Sequence, residues 1–264
     1  MNNSLSPPTN WSFARGYWAG LLWANTNPAP GVYDFSELDA ILSAAILADQ
    51  YVEVNALVGQ CSPSWIYSSA GGVTPVKVNW KPPPQCVPPE CVPAGTWECS
   101  QNGGQGCGCD GAGWPPLTKC MPGAGCGCNQ TFPDYLGNPY RAHQKDWIVA
   151  THKHIMGLSP ELKKRVLSVQ GNAGSTGDGC AYHGRIYPEQ RLAGLGKIQN
   201  KSVFDAYQLE VLDFFVETYS KPGSPMLLLN ALFSQPNLWA SINASSLAKT
   251  GYMIKAGSVS HSYS

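Results

Sequence analysis

Charge is scarce in this sequence. Only 13% of its 264 residues are Asp, Glu, Lys or Arg, about half the ~25% of an ordinary globular chain. The 17 basic and 17 acidic residues cancel, so no basic field exists to hold a phosphate backbone or an anionic membrane. Nucleic acid is therefore not an expected partner. Long apolar runs are lacking too: none approaches the ~18 residues of a membrane span. The opening stretch from Met1 to Pro8 has neither a basic nor an apolar segment and does not read as a signal peptide. The chain is expected to begin inside a longer protein. No Gly-rich phosphate fingerprint follows any strand-like run, which argues against a dinucleotide-binding fold, and no cofactor is expected.

Cysteine, proline and glycine are abundant instead, at 10, 22 and 28 residues. The cysteines are Cys61, Cys86, Cys91, Cys99, Cys107, Cys109, Cys120, Cys126, Cys128 and Cys180. Their even number and their density point to disulfides formed in an oxidising compartment. The pairs Cys107/Cys109 and Cys126/Cys128 also suit a metal-thiolate cluster. Extracellular thiols oxidise, however, and no histidines stand at zinc-finger spacing, so no metal is expected. N-x-S/T sequons at Asn2, Asn10, Asn129, Asn200 and Asn243 support glycosylation and passage through a secretory pathway. With so few charges, Ser, Thr, Asn and attached sugar would provide solubility. The expected location is extracellular or at the cell surface.

The order of elements follows from periodicity. Residues Phe13 to Trp23 form an aromatic, apolar run that reads as a buried strand. A turn cluster follows at Asn27–Gly31, and Ser36 is expected to cap a helix whose Leu38, Ile41, Leu42, Ala45 and Ile46 share one face. Tyr51 to Val58 is the next strand. Strand, helix and strand within so short a span imply a βαβ unit and a parallel sheet. From Ser68 to Phe132 proline, glycine and cysteine take over, and a long insertion without regular structure, held by disulfides, is expected. The α/β alternation then resumes. Helices are expected at Tyr140–Met156, Ser202–Tyr219 and Ser241–Lys249, and strands at Arg165–Val169, Met226–Leu229 and Tyr252–Ala256.

In parallel α/β folds, ligands bind at the carboxyl ends of the strands. Those ends are expected to hold Trp18 and Trp23, then Trp65, then the stretch from Gln170 through Asn172 and Asp178 to His183. Asn230 and Gln235 follow, and finally His261 and Tyr263. Aromatic faces and planar amides gathered on one rim suit a carbohydrate, whose C–H surfaces stack and whose hydroxyls hydrogen-bond. Trp18, Trp65, Asn172, His183, His261 and Tyr263 are the candidate binding residues. Asp34, Glu37 and Asp39 lie at a helix start, where acids complement the helix dipole.

The same residues carry a family resemblance. Arg15-Gly-Tyr-Trp18 through Pro30-Gly-Val-Tyr-Asp-Phe-Ser-Glu-Leu-Asp39 resembles the second strand and following helix of clan A glycoside hydrolases, closest to the β-galactosidase-like group. Ser62-Pro-Ser-Trp65 resembles the segment closing their third strand. Gly174-Ser-Thr-Gly-Asp-Gly, followed by Tyr182-His-Gly, resembles the loop after the fourth. The run from Lys255 to Tyr263 resembles a segment after the sixth. The resemblance implies an α/β fold, a partial (β/α)8 TIM-type barrel of about strands 2–6. Residues 1–67 would form the region of strands 2–3, 68–132 the Cys/Pro/Gly-rich disulfide-bonded insertion, and 133–264 the region of strands 4–6. Further chain segments or subunits would complete the barrel.

Two departures bear on activity. The family's general acid/base is a glutamate preceded by asparagine after the fourth strand; Asn172 matches the asparagine, but Ala173 follows it. A methyl group can neither give nor take the proton that a leaving sugar oxygen requires. The resemblance places the nucleophile after a seventh strand, beyond Ser264. The expected function is a glycan-binding or structural module that does not catalyse. The alternative is an active retaining hydrolase whose nucleophile lies on further sequence, with a shifted registration promoting Asp178 as the catalytic carboxylate.

Overall fold

The computed structural model describes residues 16–79, 129–174, 182, 185–186, 188–231 and 253–256. The chain enters on β1 (Gly16–Leu22), makes one short helical turn, α1 (Trp23–Thr26), and continues into α2 (Ser36–Leu47). Leu38, Ile41, Leu42 and Ala45 are buried on α2 as their spacing predicts, while Ile46, expected on the same face, is only partly buried. Burying each Leu or Ile contributes roughly 1.5–3 kcal/mol. Ser36, expected to cap this helix, is instead its first residue. The Asp34 carboxylate takes the capping role, accepting the Ser36 N–H at 2.9 Å.

Strand β2 (Tyr51–Leu57) pairs in parallel with β1, Trp18 opposite Glu53 and Leu22 opposite Leu57. Two 3₁₀ turns, Gly59–Cys61 and Ser64–Tyr67, follow it. Next come β3 (Pro75–Asn79), β4 (Asn129–Pro133) and the long helix α3 (Asn138–Gly157). A short helix, α4 (Pro160–Lys163), leads to β5 (Val166–Gly171). Beyond it are β6 (Arg185–Ile186), α5 (Pro188–Leu192), a 3₁₀ turn at Leu195–Gln199, α6 (Lys201–Tyr219), β7 (Met226–Ala231) and β8 (Met253–Ala256).

Two sheets result. The larger is parallel throughout, in the order β1-β2-β5-β7-β8. Strand order follows chain order, so these five strands contain no reversal of the kind that creates a doubly wound crevice. The smaller sheet is antiparallel, β4-β3-β6, and was not foreseen. It corrects the expectation that Ser68–Phe132 lacks regular structure, because both ends of that stretch are strands. Asn79 lies directly opposite Asn129, so the chain leaves the sheet after residue 79 and returns at 129 from one place. The antiparallel pairing of Val76 and Val78 with Phe132 and Gln130 was invisible locally, since more than fifty residues separate the partners. The expected helix at Ser241–Lys249 lies outside the described residues.

The core between sheet and helices is markedly aromatic. Trp23 is fully buried and stacks on Trp147 of α3, with ring centroids 5.5 Å apart, and it tilts against Tyr140. Its indole N–H donates to Asn27 Oδ1 at 3.1 Å, while that of Trp147 donates to Thr26 Oγ1 at 2.8 Å. Trp23 is therefore a core residue, not part of the ligand-facing rim expected after the first strand.

Candidate functional site

The carboxyl ends of β2 and β5 are neighbours, with Asn55 opposite Gln170, and the polar side chains there are buried. Asn172 is only 1% exposed. Its Nδ2 donates to Asn55 Oδ1 and, at 2.7 Å, to the Ala56 carbonyl, while its Oδ1 accepts from Gln170 Nε2 at 2.9 Å. A chain of three amides thus ties the end of β5 to the end of β2. Inside a protein such a network is stable only when its members are satisfied. Ala173 follows directly and is also buried, at 4% exposure. A carboxylate in that position would be drawn out of water, an environment that favours its protonated form.

The loop after β2 is held from several directions. Trp65, half-buried, donates its indole N–H to the Asn27 carbonyl at 2.8 Å, which links this loop to the one after α1. Its ring meets His143 edge-on at 4.9 Å, and His143 Nε2 lies 2.9 Å from the Gly71 carbonyl. Gly71 is required where it stands, because a Cβ there would fall 2.3 Å from the Ile66 carbonyl oxygen. Cys61 is fully buried and disulfide-bonded. The other nine cysteines lie outside the described residues.

A group of tyrosines underlies these loops. Tyr182 packs against Phe132 and Tyr135 and donates its hydroxyl to the Pro133 carbonyl at 3.2 Å. Tyr135 also contacts Tyr140 and Tyr207, and the Tyr207 hydroxyl donates to Gln144 Oε1 at 2.9 Å. Burial pushes the hydroxyls of Tyr135, Tyr182 and Tyr207 well above the ordinary phenol value, so all three stay protonated.

The sequence-predicted residues divide as follows. Asn172 directly follows β5, and Trp65 lies in the loop after β2. Trp18 lies within β1, not beyond its carboxyl end, and Asn230 is likewise still inside β7. Asp178, His183, Gln235, His261 and Tyr263 lie outside the described residues. So do the sequons at Asn2, Asn10 and Asn243. Asn129 opens β4, and Asn200 caps α6 by accepting the Ser202 N–H at 3.0 Å. At the start of α2, Asp34 is held below the usual carboxylate range by the Ser36 backbone N–H and then its hydroxyl. Asp39 pairs with His154 Nε2 at 2.7 Å, and Glu37 accepts from Asn25 at 3.3 Å. These acids are engaged in local structure.

Sequence reasoning missed Asn55. The signal for it was present: a lone amide inside the apolar run from Val54 to Val58 is a buried polar group that must find a partner. Among the described residues, no group of three or more His, Cys, Asp or Glu is arranged to hold a metal ion, and no helix is long and apolar enough to cross a membrane. No protein-family model matches the sequence, and no curated protein matches it.

Proposed function

We propose that this chain is an extracellular glycoside-hydrolase-like module, part of a (β/α)8 barrel, that binds glycan or serves a structural role without catalysing hydrolysis. The observation that carries this reading is the end of β5, where the residue following the bonded Asn172 is the buried Ala173. A hydrolase that works by proton transfer to a leaving oxygen needs an ionisable group at that place. The parallel order β1-β2-β5-β7-β8 supports the barrel, since a (β/α)8 barrel lays its strands side by side in chain order. The half-buried Trp65 in the loop after β2 supports a sugar-stacking role.

The test takes the full-length protein to a panel of aryl glycosides and, in parallel, to a glycan array. The expected outcome is no turnover above the uncatalysed rate. Retention on one or more glycans identifies a binding module, and no retention identifies a structural one. Turnover by the unaltered protein that disappears in Asp178→Asn would overturn the proposal and establish the active hydrolase with a shifted acid/base residue.

A further inference from the structure

Asn27 is polar, buried at 2% exposure, and bonded through every polar group it has. Its Nδ2 donates to the carbonyls of Ala29 and Val32, each at 2.8 Å, and its Oδ1 accepts from Trp23 Nε1 at 3.1 Å. Its backbone N–H donates to the Trp23 carbonyl at 3.0 Å, and its own carbonyl accepts from Trp65 Nε1 at 2.8 Å. These bonds run from the core to a loop. On one side stands Trp23, stacked on Trp147 and fully buried. On the other is Trp65, half-buried in the loop after β2. Between them the turn from Asn27 to Val32 is closed by the pairing of Ala29 with Val32, and the carbonyls of both these residues are held by the one amide. The amide thereby fixes the course of the turn, and with it the direction of the carbonyl that grips Trp65.

We infer that Asn27 is the positioning residue of Trp65: its side chain fastens the loop after α1 to the aromatic core, and its carbonyl holds the indole in one orientation. The chemistry calls for asparagine, since a primary amide presents two N–H donors and an acceptor at once. An aspartate would set a carboxylate against two carbonyl oxygens. His143 adds a second contact, meeting the Trp65 ring edge-on while its Nε2 lies 2.9 Å from the Gly71 carbonyl. The inference rests on the reading of Trp65 as the residue on which a sugar stacks, and adds that this platform is set before the ligand arrives. A side chain already held in place spares the ligand the cost of ordering it, an advantage of roughly twofold to tenfold in affinity.

Nitrogen–proton correlation spectra of the intact protein, Trp65→Phe and Asn27→Asp test this. They are combined with the affinities of the intact protein and Asn27→Asp for p-nitrophenyl β-galactoside, a probe chosen for the β-galactosidase-like resemblance. The indole peak missing from Trp65→Phe identifies the Trp65 N–H. In the intact protein this N–H should exchange with deuterium at least roughly tenfold more slowly than a free indole, although the ring is half-exposed. In Asn27→Asp the peak should move, exchange should approach the free rate, and affinity should fall by roughly twofold to tenfold. Free exchange in the intact protein would overturn the inference even if the variant failed to fold. So would an unmoved peak in Asn27→Asp, or a released indole with unchanged affinity. If the intact protein retains no glycan of any kind, the sugar-stacking reading fails, and the exchange rates still decide whether Asn27 holds Trp65.

Discussion

His152 shows how one side chain ties stability to pH. It sits on the buried side of α3, its Nε2 is 2.9 Å from Ser224 Oγ, and its ring meets Tyr219 edge-on at 4.8 Å. Burial first, and the nearby Lys221 ammonium second, hold its pKa below the ordinary 6.5. The folded state therefore favours the neutral ring, and the unfolded chain takes up the proton first. Above the unfolded value the residue costs nothing. As pH falls from about 6.5 through the depressed folded value, stability is lost, and below that value the loss is complete. Thermal melts across this window should show the wild-type melting temperature falling on acidification. In His152→Gln that part of the slope should flatten; an unchanged slope would assign the acid sensitivity to other groups.

Strand β5 touches helix α6 closely at Gly171. A Cβ on Gly171 would lie 3.0 Å from Phe215 Cγ and 3.1 Å from its Cδ2. Phe215 is 1% exposed and stacked near Tyr219, so its ring has little room to move. Gly171→Ala should destabilise by roughly 1–3 kcal/mol through overpacking, measured by urea unfolding. Phe215→Leu added to Gly171→Ala should recover part of that loss, giving a coupling energy in a double-mutant cycle. Simple additivity of the two changes would mean that the clash is not what Gly171 avoids. This contact also explains why a glycine closes the otherwise β-favouring run from Val166 to Gln170.

For the whole molecule, the small antiparallel sheet turns a long excursion into a hairpin. Because Asn79 and Asn129 face each other, a two-residue Asn-Gly turn can replace residues 80–128 and still suit the twist of the flanking strands. The shortened protein should unfold cooperatively and keep the near-ultraviolet circular dichroism of the Trp23–Trp147 stack. Loss of that signal would show that the parallel sheet depends on the excised residues. The eight cysteines from Cys86 to Cys128 would leave with them, so survival would also show that this sheet does not need their disulfides.

The amino-acid sequence by itself determined the α/β alternation and the buried faces of its helices. Leu38, Ile41, Leu42 and Ala45 recur at helical spacing, and Tyr51 to Leu57 carry strand-forming residues, because both patterns are set by neighbours a few positions apart. It also located Asn172 and Trp65 near strand ends. What it could not state is who meets whom across the chain. Trp23 looks the same to local reasoning whether it faces a ligand or Trp147, and only the packing of α3 against α1 decided for the core. The pairing of β3 with β4, and the bond from Asn172 to Asn55, arise between residues far apart in sequence. Their partners are chosen by packing and by the need to satisfy buried polar groups, and those constraints exist only once the chain has folded.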